Sequence, residues 1–170
     1  MEYLQSTTTA AAKSLVLTYN ERTHIFTINA MMRFIASLAP AAELQGKSSS
    51  DSAQVDGWVS FGWNSFEVPL EVLAMGVDSV RADMAKSLET LDDYLADNIY
   101  MVGDNITLAD ISLVIVLHKA VSSRALEINQ AANVSRWCDT VTQEKFVQTA
   151  LTSHATDGTV FGGCRCGHQR

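Results

Sequence analysis

The chain has 170 residues, of which 47% are hydrophobic and 18% charged, and this balance excludes a disordered tail or a fibrous protein. Only 2 prolines and 9 glycines are present, which argues against an all-β fold with a turn about every ten residues. The formal net charge of −7 does not indicate a nucleic-acid binder by bulk electrostatics.

The acidity is concentrated in the middle of the chain. Residues 51–110 hold 12 acidic residues against 2 basic ones. Two interpretations stay open at this point: the charges belong to ordinary solvated helix faces, or they form a docking surface for a basic partner.

The first residues and the cysteines indicate a cytoplasmic protein. The start, MEYLQSTTTAAAK, lacks a basic segment followed by a long apolar core, so we expect no signal peptide. Cys138, Cys164 and Cys166 show no disulfide spacing, which is typical of a reducing compartment. Cys164, Cys166 and His168 could supply soft metal ligands, but a complete zinc site needs four ligands, usually from two separated pairs. We therefore predict no metal site, and a flexible tail over residues 151–170.

The N-terminal part reads as a hairpin followed by a helix. Residues 14–19 and 24–28 are rich in β-branched and aromatic side chains, which predicts two paired strands. Asn29 is expected to cap a helix that runs through Ala39. The polar segment GKSSSDS at residues 46–52 is the predicted boundary between two lobes.

The chain after this boundary reads as entirely helical. Asp51 or Ser52 is expected to cap the first helix, and Pro69 predicts a kink or break near residues 67–68. Asp78 is expected to cap the next helix, in which apolar residues recur three and four positions apart.

The most informative motif precedes a strongly apolar segment. Thr107 and Asp110 have the spacing of a capping box, and Ile106 and Ile111 occupy the two positions of a hydrophobic staple. The helix that follows, over residues 108–122, is apolar nearly all round, so we expect it at the centre of a domain.

An ordered set of motifs carries a resemblance to a known family. The set comprises Tyr94 to Gly103 (YLADNIYMVG), the Thr107–Asp110 box, and Asn133 to Trp137 (NVSRW), which begins a helix expected to end near Ala150. In this order the segments resemble the C-terminal helical domain of the glutathione-transferase (GST) superfamily. The resemblance implies a mainly α fold: an all-helical, GST-like C-terminal domain over residues 51–150, and a shortened thioredoxin-like N-terminal lobe, a small β-hairpin plus a helix, over residues 1–46.

Within that superfamily, the first and third motifs look most similar to the GST-like domains of the translation apparatus. This branch includes elongation factor 1 epsilon and gamma, and domains of aminoacyl-tRNA synthetases and tRNA-binding cofactors. The resemblance implies a noncatalytic cytosolic scaffold of a multisynthetase complex, or the N-terminal part of a tRNA-binding cofactor. The implied partners are GST-like domains of aminoacyl-tRNA synthetases or elongation factors, with a homodimer as an alternative. Contact with tRNA would be indirect, and no membrane partner is expected.

A glutathione transferase or thiol-binding enzyme is the alternative function. The family's glutathione site uses a cis-proline and an acid–serine pair at the start of its third helix. No proline precedes Pro40, and the acid–serine positions fall on Thr27 and Ile28; the Ile28 side chain cannot form a hydrogen bond. We therefore predict no enzyme activity, no catalytic residue and no cofactor.

The resemblance also implies two docking faces. Arg136 matches the family arginine of the heterotypic face, where a guanidinium can stack on a partner arginine or pair with a carboxylate; Ser135 and Asp139 flank it, and Trp137 is expected to point into the core. The second is a pairing face, and each of its residues could instead be ordinary core. It comprises Met31, Met32, Phe34, Ile35, Trp58, Phe61, Gly62, Ser65 and Phe66.

Overall fold

A computed structural model describes residues 5–8, 15–19 and 22–153 of the chain, and its N-terminal part is a small antiparallel sheet. The strands lie in the order β1-β2-β3, where β1 is Gln5–Thr8, β2 is Leu15–Tyr19 and β3 is Thr23–Phe26. The predicted pairing of the second and third strands is confirmed, with Val16 opposite Phe26. Strand β1 was not predicted, because its sequence, QSTT, lacks the apolar alternation of a half-buried strand.

Helix α1 spans Ile28–Ser37 and begins earlier than predicted. Its cap is Thr27, whose hydroxyl accepts the amide of Ala30 at 3.4 Å, so the assignment of the cap to Asn29 is wrong. Thr27 has a φ of 69°, a left-handed conformation that is costly for a β-branched residue. The junction between sheet and helix is therefore strained.

Helix α2 spans Ser49–Gly62 and starts with a second capping box. The Ser48 hydroxyl accepts the amide of Asp51 at 3.1 Å, and the Asp51 carboxylate accepts the amide of Ser48 at 3.0 Å. The side-chain bond with Ser48, then the amide bonds of Lys47 and Ser48, lower the pKa of the Asp51 carboxyl. Ser48 is thus the cap, and the prediction of Asp51 or Ser52 is wrong.

The predicted break near Pro69 is confirmed. A single π-helical turn, Trp63–Glu67, interrupts the helix, which resumes as α3 at Val68–Ala74. Proline cannot donate a hydrogen bond to the preceding turn, and a π-turn is one way for a helix to absorb that loss. Gly76, with a φ of 90°, follows the end of α3.

Helix α4 spans Val80–Ala96 and its cap also differs from the prediction. The cap position is Ser79, and no side chain bonds to the first amides there. Asp78 instead accepts a hydrogen bond from Nε of Arg81 at 3.3 Å. The Arg81 Nη1 atom in turn donates to the carbonyl of Ala125 at 2.9 Å, beyond the end of the central helix.

The central helix is confirmed, whereas the last predicted helix is two helices. Helix α5 spans Leu108–Ser122, α6 spans Ala132–Thr142, and α7 spans Lys145–Ser153. In the last turns of α6 the hydroxyls of Thr140 and Thr142 bond back to carbonyls four residues earlier, at 2.9 and 2.7 Å. Such back-bonding competes with the helix ladder and favours an end there.

The core lies among α2, α4, α5 and α6, with α5 buried at the centre. The predicted mainly α organisation with a small N-terminal lobe is therefore confirmed. Within residues 22–153, no described helix is both long and apolar enough to cross a membrane. The domain limits at residues 46 and 51 stay a prediction. The tail predicted over residues 151–170 starts too early, because α7 extends to Ser153, and the rest of it lies outside the described residues.

Candidate functional site

The first turn of α6 is fixed by a carboxylate from another helix. No side chain caps α6 at Ala131. Asp92 of α4 takes this role, because its Oδ1 atom accepts the amides of Asn133 at 2.8 Å and Val134 at 2.9 Å. A carboxylate here satisfies amides that lack intrahelical partners and faces the positive end of the helix dipole. The start of α6 is therefore held against α4.

Arg136 extends from α6 to the C-terminal end of α4. Its Nη2 atom donates to the carbonyl of Leu95 and, at 3.2 Å, to the carbonyl of Asn98. The last carbonyls of a helix lack intrahelical partners, and a cation there meets the negative end of the helix dipole. The residue as a whole nevertheless remains exposed. Arg136 is thus anchored through one nitrogen and held at the protein surface.

An exposed isoleucine lies beside this anchor. Ile99, 63% exposed, directly follows Asn98 in the loop between α4 and α5. The loop is pinned on both sides: the Asn98 amide group donates to the carbonyl of Tyr94 at 2.8 Å, and the Tyr94 hydroxyl donates to the carbonyl of Met101 at 2.8 Å. Ile99 is therefore an apolar side chain presented from a restrained loop.

The other predicted heterotypic residues flank Arg136 on α6. Ser135 is half-buried and Asp139 is exposed, and both have interaction partners within the protein. Asp139 lies three positions after Arg136, so the two are neighbours on the helix surface. We call Ile99, Ser135, Arg136 and Asp139 together the Arg136 face. The sequence did not single out Ile99, because it begins the short apolar run of residues 99–102.

The predicted capping box is present, and its carboxylate also reaches beyond α5. The Oδ2 atom of Asp110 accepts the amide and the hydroxyl of Thr107, both at 2.9 Å. The Oδ1 atom accepts the amide of Met101 at 2.8 Å and the indole N–H of Trp137 at 2.9 Å. Asp110 is fully buried, and these bonds compensate the loss of its hydration. The prediction that Trp137 points into the core is confirmed, since it is 1% exposed.

The predicted pairing face is only partly exposed. Met31, Gly62 and Phe66 are buried and so cannot form part of an exposed face. A Cβ atom at Gly62 would lie 2.9 Å from Cδ2 of Leu113, which shows how closely α2 approaches α5 there. Ile35 is 49% exposed. The remaining members are half-buried: Met32, Phe34, Trp58, Phe61 and Ser65.

Two surface clefts border the helices described above. The acidic one, about 500 Å³, runs beside α4 and contains Glu89, Asp92, Asp93 and Glu127. Part of that charge is structural, because Asp92 caps α6. The sequence did not indicate the second, an apolar cleft of about 260 Å³ between the lobe and the helical domain. It is lined chiefly by Ile28, Met32, Trp63, Ile115 and Val116, with Lys119 and Glu67 paired at its edge.

Thr27 and Ile28, the positions matched to the acid–serine pair of the family's glutathione site, lie at the start of α1. The Thr27 hydroxyl caps α1, and the Ile28 side chain is 54% exposed at the start of that helix. Cys138 on α6 is half-buried. In the part of the chain that the structure describes, no three His, Cys, Asp or Glu side chains are grouped so as to hold a metal ion. Cys164, Cys166 and His168 lie outside that part.

Residues 51–145 match the glutathione S-transferase C-terminal domain. The match takes in α2 to α6 and the Thr107–Asp110 box. The chain therefore belongs to the glutathione S-transferase C-terminal domain family, and the predicted resemblance is confirmed.

The similar curated proteins are named for translation. The mouse eukaryotic translation elongation factor 1 epsilon-1 is 29% identical over 123 residues, covering 72% of this chain and 66% of that protein. The bifunctional glutamate/proline–tRNA ligase of Drosophila melanogaster is 26% identical over 132 residues, 78% of this chain and 7% of the ligase. A probable elongation factor 1-gamma of Arabidopsis thaliana is 29% identical over 100 residues, 51% of this chain and 24% of that protein. The chain thus spans just under two thirds of the first relative and much less of the others.

The similar solved structures are glutathione transferases. A ternary complex of BphK, a bacterial GST, has a TM-score of 0.75 at 18% identity. The match covers 83% of this chain and 74% of the BphK chain. A class Gtt2 glutathione S-transferase of Vibrio parahaemolyticus has a TM-score of 0.71 at 22% identity, with 84% and 74% covered. Similarity at this level of identity shows the shared fold.

Proposed function

We propose that this chain is a noncatalytic protein–protein interaction domain that assembles aminoacyl-tRNA synthetases or translation factors in the cytosol. One observation carries the proposal: Arg136 is exposed, anchored on the end of α4, and bonded to the carbonyl of Asn98, the residue before the exposed Ile99. The relatives named as elongation factor 1 subunits and as a tRNA ligase support the partner class. The partner surface is a GST-like domain.

The geometry of Arg136 suits a docking anchor. A free arginine side chain loses rotamer freedom on binding, at a cost of about 0.5–1.5 kcal/mol per immobilised side chain. Here the bonds to α4 already restrain the guanidinium before a partner arrives. A restrained planar cation can stack on another guanidinium or bind a carboxylate, and Ile99 adds apolar area beside it. Contact with tRNA would run through such partners, since the chain carries a net charge of −7.

A homodimer through the small lobe is a second arrangement. Ile35 and Leu38, at the end of α1, are 49% and 51% exposed. Size-exclusion mass of the wild type and of an Ile35→Glu variant distinguishes this arrangement from a monomer.

The alternative activity is that of the glutathione transferases whose structures share this fold. Its test is retention of the protein on glutathione resin together with turnover of a chlorinated aromatic substrate. Clear turnover would contradict the scaffold proposal, whereas absence of both agrees with it.

The proposal itself is tested by capture. The full chain, immobilised, is incubated with cytosol of its source, and retained proteins are identified by mass spectrometry. We expect an aminoacyl-tRNA synthetase or an elongation factor 1 subunit, with retention reduced at least tenfold in Arg136→Ala and in Ile99→Ser.

Two matched variants separate docking from general surface effects. Lys86→Ala removes an exposed cation from α4, and Met75→Ser removes a side chain that is 80% exposed at the far end of α3. Both should retain partners as the wild type does. Capture of neither partner class by the wild type would contradict the proposed function, and equal loss in all four variants would contradict the placement of the face.

A further inference from the structure

Asp110 makes two kinds of contact, and they are divided between its two oxygen atoms. The Oδ2 atom serves the start of its own helix, accepting only from Thr107 three residues earlier. The Oδ1 atom serves two other elements, accepting from Met101 in the loop before α5 and from Trp137 on α6. Capping a helix needs only the first set of bonds. The second set therefore calls for a separate explanation.

Both residues that donate to Oδ1 are close in sequence to residues of the Arg136 face. Trp137 adjoins Arg136 in α6, and Met101 lies two residues after Ile99. The Met101 backbone is fixed on both sides, because its amide donates to Asp110 at 2.8 Å and its carbonyl accepts from Tyr94 at 2.8 Å. One buried oxygen atom thus joins the loop that bears the isoleucine to the helix that bears the arginine.

Burial makes this connection rigid. Asp110 and Met101 have no exposed surface, and Trp137 is 1% exposed. In a fully buried site, a donor that leaves the carboxylate is not replaced by bulk solvent, and a hydrogen bond to a charged group is worth more than a neutral one. The loop and α6 therefore cannot shift independently without loss of a buried bond.

We propose, on the basis of the proposed function, that Asp110 is the positioning residue of the Arg136 face: its Oδ1 atom sets the placement of Ile99 relative to Arg136 and so prepares the face for a partner GST-like domain. Its Oδ2 atom serves folding of α5. A change on the Oδ1 side should disturb docking, whereas a comparable change on the Oδ2 side should not.

A pair of variants separates the two sides of the carboxylate. Trp137→Phe keeps an aromatic ring and removes one donor to Oδ1. Thr107→Val keeps the branched shape and removes one donor to Oδ2. Trp137→Phe also removes volume. Val141→Ala, at a fully buried position one turn later in α6, therefore serves as the cavity control, because the valine side chain cannot donate a hydrogen bond to the carboxylate.

The first measurement needs no partner. Amide hydrogen exchange is recorded for the full chain in each variant and corrected for the change in global stability. In Trp137→Phe we expect exchange about tenfold faster at residues 99–103 and 134–138. In Thr107→Val we expect faster exchange only at the start of α5. The same pattern in both variants, or a Trp137→Phe pattern equal to that of Val141→Ala, overturns the proposal.

The second measurement is capture of synthetases or elongation factor 1 subunits from source cytosol, well below the melting temperature of every variant. Retention should fall about tenfold in Trp137→Phe and stay at the wild-type level in Thr107→Val and Val141→Ala. Retention that merely follows stability across the three variants overturns the positioning role. If the wild type captures neither class, the proposed function fails, while the exchange pattern still decides whether Asp110 positions the loop and α6.

Discussion

The helical domain and the small lobe bury their apolar side chains to different extents. From α2 onward, fully buried side chains such as Leu91, Leu95 and Leu113 form one continuous core. The lobe buries Leu17, Met31 and Ala36, of which Ala36 belongs to the core of the helical domain, but it leaves large apolar side chains exposed. These are Phe26 at 62%, Ile28 at 54%, Leu38 at 51% and Ile35 at 49%.

This difference indicates two levels of stability within one chain. A sheet of three short strands has little stability of its own unless a helix covers one of its faces. Here α1 provides partial cover, through contacts such as that between the rings of Tyr19 and Phe34, 5.0 Å apart. We therefore expect the lobe to open locally at a lower free energy than the helical domain.

The largest effect is expected at the buried carboxylate of the helical domain. Asp110→Ala would leave the donors of Met101, Thr107 and Trp137 without an acceptor, so we expect a loss of about 4 kcal/mol in the free energy of unfolding. Denaturant titration measures it. Asp104→Ala, at an exposed position of the loop before α5, is the control and should change stability by less than about 0.5 kcal/mol. Equal effects at both positions would contradict the role of the Asp110 hydrogen bonds in stability.

The second prediction tests whether the lobe opens at a lower free energy than the helical domain. Leu91→Ala should lower the global free energy of unfolding by about 3 kcal/mol, because it opens a cavity in a core with no access to water. Leu17→Ala should accelerate amide exchange in β2 and β3 and leave the exchange of α4 and α5 nearly unchanged. If Leu17→Ala lowers the protection of α5 as Leu91→Ala does, the lobe and the helical domain unfold as one unit.

The third prediction uses two glycines of the same helix. Gly62→Ala should destabilise by about 1 kcal/mol, since its Cβ would meet Leu113 at 2.9 Å and the overlap outweighs the gain in helix propensity. Gly57→Ala, with no atom within 4 Å of its Cβ, should stabilise by about 0.5–1 kcal/mol. Thermal unfolding compares them. A stabilising Gly62→Ala would mean that the contact between α2 and α5 adapts readily.

The smallest effect is a pH dependence at the end of α5. Burial lowers the pKa of His118 below its ordinary value of 6.5, because the charged imidazole loses hydration. The unfolded chain then binds the proton more readily, so the contribution is complete above pH 6.5 and is lost as the pH falls through the lower folded value. His118→Gln should reduce the difference in melting temperature between pH 7.5 and pH 5.5. The control Met75→Ser, at a position that is 80% exposed and carries no titratable group, should not.

Structural features that depend on residues close in sequence could be predicted, whereas contacts between residues distant in sequence could not. Thr107 and Asp110 lie one helical turn apart, so a residue pattern alone revealed the box and the central helix. The bond from Trp137 to Asp110 joins residues 27 apart, and that from Asn133 to Asp92 joins residues 41 apart. Neither leaves a periodic trace in the sequence.

The errors at helix starts have a related cause. Around Asp51 and Asn29 several residues with capping side chains follow one another, and propensity does not distinguish them. The backbone path decides, as at Thr27, where the strand ends in a left-handed conformation. The Arg136 face was predicted only in part, because the placement of Ile99 depends on how the loop folds back onto Tyr94 and Asp110.

Because a residue of α4 caps α6, the position at which the protein is divided into fragments affects the structure of α6. Asp92 begins α6 although it belongs to a different helix, 41 residues earlier in the chain. A fragment that starts after Ala96 would keep every residue of α6, including Arg136, and lose both the carboxylate that starts the helix and the carbonyl of Leu95 that receives the guanidinium. The shortest piece able to present the arginine correctly therefore extends back into α4.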